Sequence, residues 1–341
     1  MKKYISLLAI AIAAVLSSCS NDEITISKTV NFTVNPAGVV NSFSVAEEHP
    51  GELESFDTDC KLNVCLFIYD EDGTLVKEFA NTYSNYAVQF KVSDLLPQGK
   101  YTAVAVTHIE DIVENRKYWI ISGKENLEGM QITDAGYIGG QNKVLGISVS
   151  NFDVRDDIVD VNMNLHPAGS MLTVRYYGYD YLSKFGYNII SLHGNKIMDY
   201  LQFDRSGNSE VIADNHNGSY DWVIDYVDVS TIPTGYSYYY NYEYVLPMTN
   251  VGLQFFISED DIYNTDNPFG NSTTFETLAG SAYYGYFTLQ SNGRVSVEFG
   301  TYSNKTRGIV NESKGVMSLQ IKNKNLKSIT KGQSLRVKDY I

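Results

Sequence analysis

The residue whose chemistry is most sharply set by its neighbours is Cys19. Lys2 and Lys3 open the chain, an apolar run extends from Ile5 to Leu16, and Leu16-Ser17-Ser18-Cys19 closes it. That layout is an export signal ending in a lipobox, whose product is an acylated cysteine. Cleavage before Cys19 leaves its amine and thiol to carry acyl chains, palmitate among them. The apolar run is shorter than the roughly 20 residues needed to span a bilayer, so residues 1–18 read as a removed signal peptide. A plain secretory signal with an incidental cysteine is the alternative, and the small Ser17 and Ser18 favour acylation. The mature protein is then lipid-anchored and does not cross the membrane.

The second set is aromatic. Tyr236, Tyr238, Tyr240, Tyr242 and Tyr244 recur every second residue, and Tyr283, Tyr284 and Tyr286 form another cluster. On a strand the first five share one face, with Ser237, Tyr239, Asn241 and Glu243 on the other. Tyrosine combines a flat apolar ring with a hydroxyl, which suits sugar stacking or a wet protein interface. Tyrosine also favours strands and packs across them, so a purely structural ladder is the competing reading.

Other chemistries lack their constellations. The five histidines (49, 108, 166, 193 and 216) stand alone, with no metal-site spacing, and no Gly-x-Ser-x-Gly elbow or phosphate loop occurs. Asp70-Glu71-Asp72-Gly73 hints at calcium. An EF-hand starting at Asp70 would need Gly at Leu75 and Glu at Asn81, so a hairpin turn is expected instead. Glu259-Asp260-Asp261 with Asp266 reads as solvated loop charge. No catalytic residue, metal or cofactor is expected, and the chain is not expected to be an enzyme. Net charge is −14, and loss of Lys2 and Lys3 with the signal makes it −16. So acidic a body is a poor nucleic-acid binder, which needs a basic stripe. It is also repelled by anionic lipid, so the acyl chains must hold it. Cys60 and Cys65 on an extended strand would lie roughly 16 Å apart on opposite faces, beyond disulfide reach, with one of them packed in the core.

The elements that carry these residues are strands. Leu62, Val64, Leu66 and Ile68 alternate, the turn Asp70–Gly73 follows, and Leu75–Phe79 returns. Val159, Val161, Met163 and Leu165 alternate with polar residues, as do Val295, Val297 and Phe299, and Met317, Leu319 and Ile321. Helix candidates near 108–117 and 180–188 are short. Many short strands between Gly, Asn and Asp turns give an all-β fold of sandwiches. Removing 18 of 341 residues leaves 323, enough for two domains. A boundary fits at His166-Pro167-Ala168-Gly169, after which tyrosine becomes frequent. Leu96-Pro97-Gln98-Gly99-Lys100-Tyr101 and Ile232-Pro233-Thr234-Gly235-Tyr236 each set a Pro-x-Gly turn before a strand, a faint internal echo.

Two segments carry a resemblance. Lys61-Leu62-Asn63-Val64-Cys65-Leu66-Phe67-Ile68-Tyr69-Asp70-Glu71-Asp72-Gly73-Thr74-Leu75-Val76 resembles the first-domain core of the fimbrillin-like proteins of Bacteroidetes, including the FimB/Mfa2-type fimbrial anchor lipoproteins. Leu95-Leu96-Pro97-Gln98-Gly99-Lys100-Tyr101-Thr102-Ala103-Val104-Ala105-Val106 resembles the turn and apolar strand that follow it there. The acidic Asp22-Glu23 after Cys19 resembles the surface-export signal of Bacteroidetes lipoproteins. The likeness covers roughly residues 1–175 well. It implies two tandem transthyretin-like β-sandwiches with Greek-key-like connections, attachment to the cell outer membrane, surface exposure, fimbrial subunits as partners, and no catalytic residues.

The resulting organisation is signal peptide 1–18, lipidated segment 19–28, N-terminal sandwich 29–166 and Tyr-rich C-terminal sandwich 167–341. In the resembled family, stalk subunits are primed by a trypsin-like cut after an early Arg, which frees the first strand. Here no Arg lies between Cys19 and Asn115, and Lys28 is the only basic residue of the first strand region. The expected role is an uncut anchor or accessory subunit of a fimbria, joined by strand donation. The alternatives are a surface lipoprotein that binds a glycan or host surface through its tyrosines, and a polymerising stalk subunit cut at Lys28.

Overall fold

The computed structural model describes residues 27–41, 58–136, 140–214, 220, 222–232, 238–266, 268–269, 274–302, 309–312 and 317–320. Cys19, Tyr236 and the turn 233–236 lie outside these residues. The fold is all-β, with strands in several sheets and few short helices.

The Ser27–Asn35 strand alternates as its sequence dictates. Val30, Phe32 and Val34 are buried, while Thr29, Asn31 and Thr33 face the other way and are half-buried. It is the central strand of a three-stranded sheet, parallel to Ile158–Asn164 and antiparallel to Phe90–Pro97. A six-stranded sheet faces it, ordered His166–Pro167, Gly146–Val154, Gly99–Asp111, Cys60–Asp70 and Leu75–Tyr83, with Arg116–Lys117 paired to Gly99–Asp111. Leu62, Val64, Leu66 and Ile68 point into the core between these sheets and are fully buried, on the expected face. The expected hairpin is present. Gly73 at φ 79° closes its turn, and the Asp70 side chain accepts the Asp72 and Thr74 amides at 3.0 and 2.9 Å. Pro97 ends an edge strand, where a missing N–H costs no ladder bond, and the chain crosses to the other sheet at Gln98.

The Cys60–Asp70 strand also buries Phe67 and Tyr69 on its opposite face. A third layer covers them. Trp119–Ser122 and Gln131–Asp134 pair with a hairpin from much later in the chain, Ile197–Phe203 and Ser209–Asp214. Leu127, Met130, Ile132, Leu201 and Phe203 join this core, and Tyr69 Oη donates to Met130 Sδ at 3.3 Å. The hairpin tip reaches the Asp70 turn, where Arg205 pairs with Asp72 at 3.0 Å. Gly207, at φ 86°, lies so close to the sheet that a Cβ would come within 2.6 Å of Val149.

A second core begins at Leu172. One sheet runs Tyr238–Val245, Ser170–Tyr177, Ala282–Leu289, Arg294–Tyr302 and Ile309–Glu312, with Met317–Gln320 also on Arg294–Tyr302. The other runs Trp222–Asp228, Ile189–Gly194, Val251–Ser258 and Pro268–Phe269, with Thr274–Phe275 also on Val251–Ser258. Phe255 and Phe299 stack between them at 5.6 Å. Core membership changes between Met171 and Leu172, two residues past the Pro–Gly interruption.

Two helix expectations resolve differently. His108 and Ile109 belong to the Gly99–Asp111 strand, and 112–115 is a turn whose Val113 and Glu114 amides donate to Asp111 Oδ1. That side chain gives the backbone an alternative to a helix. Tyr179–Phe185 is a short 3-10 helix, bounded by Gly178 and Gly186 in the left-handed region. Neither Cys60 nor Cys65 forms a disulfide; Cys60 is buried and Cys65 half-buried. Burial, with Glu78 nearby, pushes the Cys65 thiol up to about 11, so it stays protonated and inert.

Candidate functional site

The strand Tyr238–Val245 lies at one end of its sheet, antiparallel to Ser170–Tyr177. The two-residue period places Tyr238, Tyr240, Tyr242 and Tyr244 on one face. Along it burial rises: Tyr238 and Tyr240 are half-buried, whereas Tyr242 and Tyr244 belong to the first core. Tyr244 is fully buried and lies edge-on to Trp119 at 6.3 Å. Its hydroxyl donates to the Leu145 carbonyl at 2.7 Å and accepts the Gly169 amide, tying the start of the second core to the first. Burial holds its phenol well above the usual range, so it remains a donor. On the other face Tyr239 meets Tyr179, and Asn241 donates to Asp225.

The two tyrosine clusters meet across Ser170–Tyr177. Arg175 pairs with Tyr240 on one side and Tyr286 on the other, and Tyr286 pairs with Glu298 beyond. Tyr177 pairs with Tyr238, and Thr173 with Tyr242 and Tyr284. The Arg175 guanidinium sits 5.3 Å from the Tyr238 ring centre and 5.4 Å from that of Tyr286, each a cation–π contact. Tyr177 lies 5.2 Å from Tyr238 and 5.8 Å from Tyr286, and Tyr238 lies 6.0 Å from Tyr240. Tyr284 Oη donates to Glu298 Oε1 at 3.1 Å. Tyr283 turns into the second core, and its hydroxyl accepts the Leu278 amide. Sequence periodicity placed the tyrosines on a face but missed Arg175, Tyr177 and Glu298. The signal for Arg175 and Tyr177 was the alternation Thr173, Arg175, Tyr177 opposite Leu172, Val174, Tyr176, and that for Glu298 its place between inward Val297 and Phe299.

The first strand is the second candidate, as an interface. Its side chains bridge both neighbours: Asn31 Nδ2 donates to Asp160 Oδ1 at 2.8 Å, and Ser93 Oγ donates to Asn31 Oδ1 at 2.7 Å. Lys28 is ion-paired with Asp157, and its hydrogen bond holds that carboxyl below the usual carboxylate range.

One serine–histidine pair occurs among the described residues. Ser191 Oγ lies 2.8 Å from His193 Nε2, but both residues are buried, and the ring nitrogens also meet the Tyr220 and Ile262 carbonyls at 2.7 and 2.9 Å. Among the described residues no group of three His, Cys, Asp or Glu is placed to hold a metal, and no helix is long and apolar enough to cross a membrane.

Comparison with protein-family models and with curated proteins finds no match. Several solved structures are similar over most of their length. The fimbrial anchor protein Mfa2 from Porphyromonas gingivalis is 13% identical with a TM-score of 0.42, covering 81% of this chain and 98% of that one. The tip fimbrial protein Mfa3 of the same organism, truncated at its C-terminus, is 9% identical with a TM-score of 0.41, covering 82% and 100%. A fimbrial assembly protein from Parabacteroides distasonis is 9% identical with a TM-score of 0.36, covering 81% and 96%.

Proposed function

We propose that this chain is a surface lipoprotein of the outer membrane that serves a fimbria as an uncut anchor or accessory subunit, in a binding and not a catalytic role. The observation that carries the reading is the place of Ser27–Asn35. It fills the middle of its sheet, hydrogen-bonded on both sides, so its release would leave a groove between Phe90–Pro97 and Ile158–Asn164. Such a groove accepts a strand from another subunit through main-chain bonds and alternate side-chain pockets. No Lys or Arg lies between Lys28 and Lys61. A basic-specific cut at Lys28 trims two residues and leaves Thr29–Asn35 in place. A cut at Lys61 severs the second residue of the Cys60–Asp70 strand. Neither frees the first strand cleanly, which favours a subunit that ends a chain over one that propagates it.

On this reading the lipobox is the attachment, and the strand order favours one orientation. Cys19 precedes Ser27 by eight residues, at most roughly 28 Å of chain. Ser27 lies opposite Pro97 at one pole of the first core, while the Asn35 carbonyl, at the strand's far end, accepts the Leu165 amide where the chain passes to the second core. The acylated end then holds the first core near the membrane and presents the Tyr-rich half outward. Partners on this reading are fimbrial subunits and, through the acyl chains, the outer membrane.

The test is fractionation and mild detergent extraction. Wild-type protein should pellet with the outer membrane and co-purify with polymerised pilin. Cys19→Ala should leave an uncleaved or mis-sorted precursor, because acylation supplies nearly all the membrane affinity of an acidic body. Mature Cys19→Ala protein in the outer membrane would overturn the anchor reading.

A further inference from the structure

We infer that the ring cluster around Arg175 is a binding site for a neutral glycan chain, held through the apolar faces of its sugar rings. Four half-buried tyrosines, Tyr177, Tyr238, Tyr240 and Tyr286, come from three adjacent strands onto one sheet face. Their rings are fixed before any ligand arrives. Centroid separations of 5.2, 5.8 and 6.0 Å lock them against one another, and the Arg175 guanidinium clamps two of them from the centre. Preorganised tyrosines give large contact area for little lost rotamer freedom. Each couples a ring to a hydroxyl, the pairing that an alternation of C–H faces and hydroxyls on a sugar can match.

The charge pattern selects among ligands. Arg175 and Glu298 stand in the same cross-strand row, Glu298 one residue beyond Tyr286, and exposed Arg294 lies farther along the Glu298 strand on the same face. The charges of Arg175 and Glu298 offset, and the body around them is acidic. An anionic glycan would find no net positive field here. A neutral one finds ring faces, phenol hydroxyls and the Glu298 carboxylate as acceptor. Among the described residues the large exposed aliphatic side chains, Val76, Leu95, Ile112, Val113, Ile120, Ile158 and Leu278, all lie on other elements. Tyrosine and arginine are also enriched at protein interfaces, so glycan titration decides between the two kinds of ligand.

The inference stands apart from the fimbrial reading, and its test does not involve pilin. Detergent-solubilised mature protein is titrated with neutral hexaoses (gluco-, manno- and xylo-oligosaccharides) and with polygalacturonate, by calorimetry and tyrosine fluorescence. Expected is saturable binding of at least one neutral series, unchanged in high salt and weakened about tenfold or more by Tyr238→Ala and by Tyr286→Ala. Thermal melts check that both variants fold, and Tyr240→Ala provides a third variant at the end strand. Tyr263→Ala, removing an exposed tyrosine outside the cluster, should leave binding unchanged. No binding of any neutral series, binding confined to polygalacturonate and lost in high salt, or equal losses in Tyr263→Ala and Tyr238→Ala would each overturn the assignment.

Discussion

Phe32→Ala tests whether the first strand holds the N-terminal core together. Phe32 is the middle inward residue of Ser27–Asn35, 1% exposed, and meets Phe152 edge-on at 5.6 Å and 80°. Truncating a buried phenylalanine to alanine costs about 3–5 kcal/mol, from lost transfer energy and the cavity left behind. The edge-to-face pair contributes about 0.5–1.5 kcal/mol of that kind of loss. At about 2–4 °C per kcal/mol for a unit of this size, the melting temperature should fall by roughly 10 °C. The control is Thr33→Ala, on the opposite face of the same strand, half-buried. It removes strand propensity and little packing, a change below about 1 kcal/mol. The assay is a far-UV circular dichroism melt of the two variants and wild type. Melts of Phe32→Ala and Thr33→Ala that coincide would refute the inward placement of Phe32 and the structural weight given to this strand.

Leu66→Asp places an unpaired charge at a fully buried position and should unfold the first core, whereas Asp72→Asn loses only the exposed ion pair to Arg205 and should cost about 0–1 kcal/mol; similar melts for the two would sink the strand assignment. Asp225 gives a pH signature. It is fully buried, accepting Tyr176 Oη at 2.6 Å and Asn241 Nδ2 at 2.8 Å, and desolvation raises its pKa from 3.8 to about 6 despite those bonds. The native state therefore holds a proton that the unfolded chain has lost, so stability should fall as pH rises from about 4 to about 6. Asp225→Asn should flatten that dependence in urea unfolding at the two pH values, and a variant with the wild-type slope would show that Asp225 does not titrate there.

Much of the first half was legible because its strands bury one face and the period of two is unambiguous. Leu62 to Ile68, Val159 to Leu165 and the Asp70–Gly73 turn follow from alternation and from a turn residue that caps its own backbone. What periodicity could not show is a strand buried on both sides. Phe67 and Tyr69 read as an outward face, and only the return of the 197–214 hairpin explains their burial. That return joins residues separated by about seventy positions, and no local pattern encodes it. The tyrosine strand shows the same limit. Alternation placed Tyr238 to Tyr244 on one face, but that face crosses from solvent into the first core along its length. Tyr242 and Tyr244 are structural for that reason, and the half-exposed cluster instead recruits Tyr177 and Tyr286 from neighbouring strands. Arg175 went unremarked because a single cation in a strand carries no spacing signal until its cross-strand partners are known.

The central claim is that the protein reaches the surface acylated at Cys19 and keeps the strand that fills its own sheet. N-terminal mass spectrometry of the protein from intact cells tests both parts at once. The account predicts a lipid-modified Cys19 on a chain that retains residues 19–35. A dominant N-terminus at Thr29 or later, with no acylated Cys19, would contradict it and indicate a subunit processed for polymerisation.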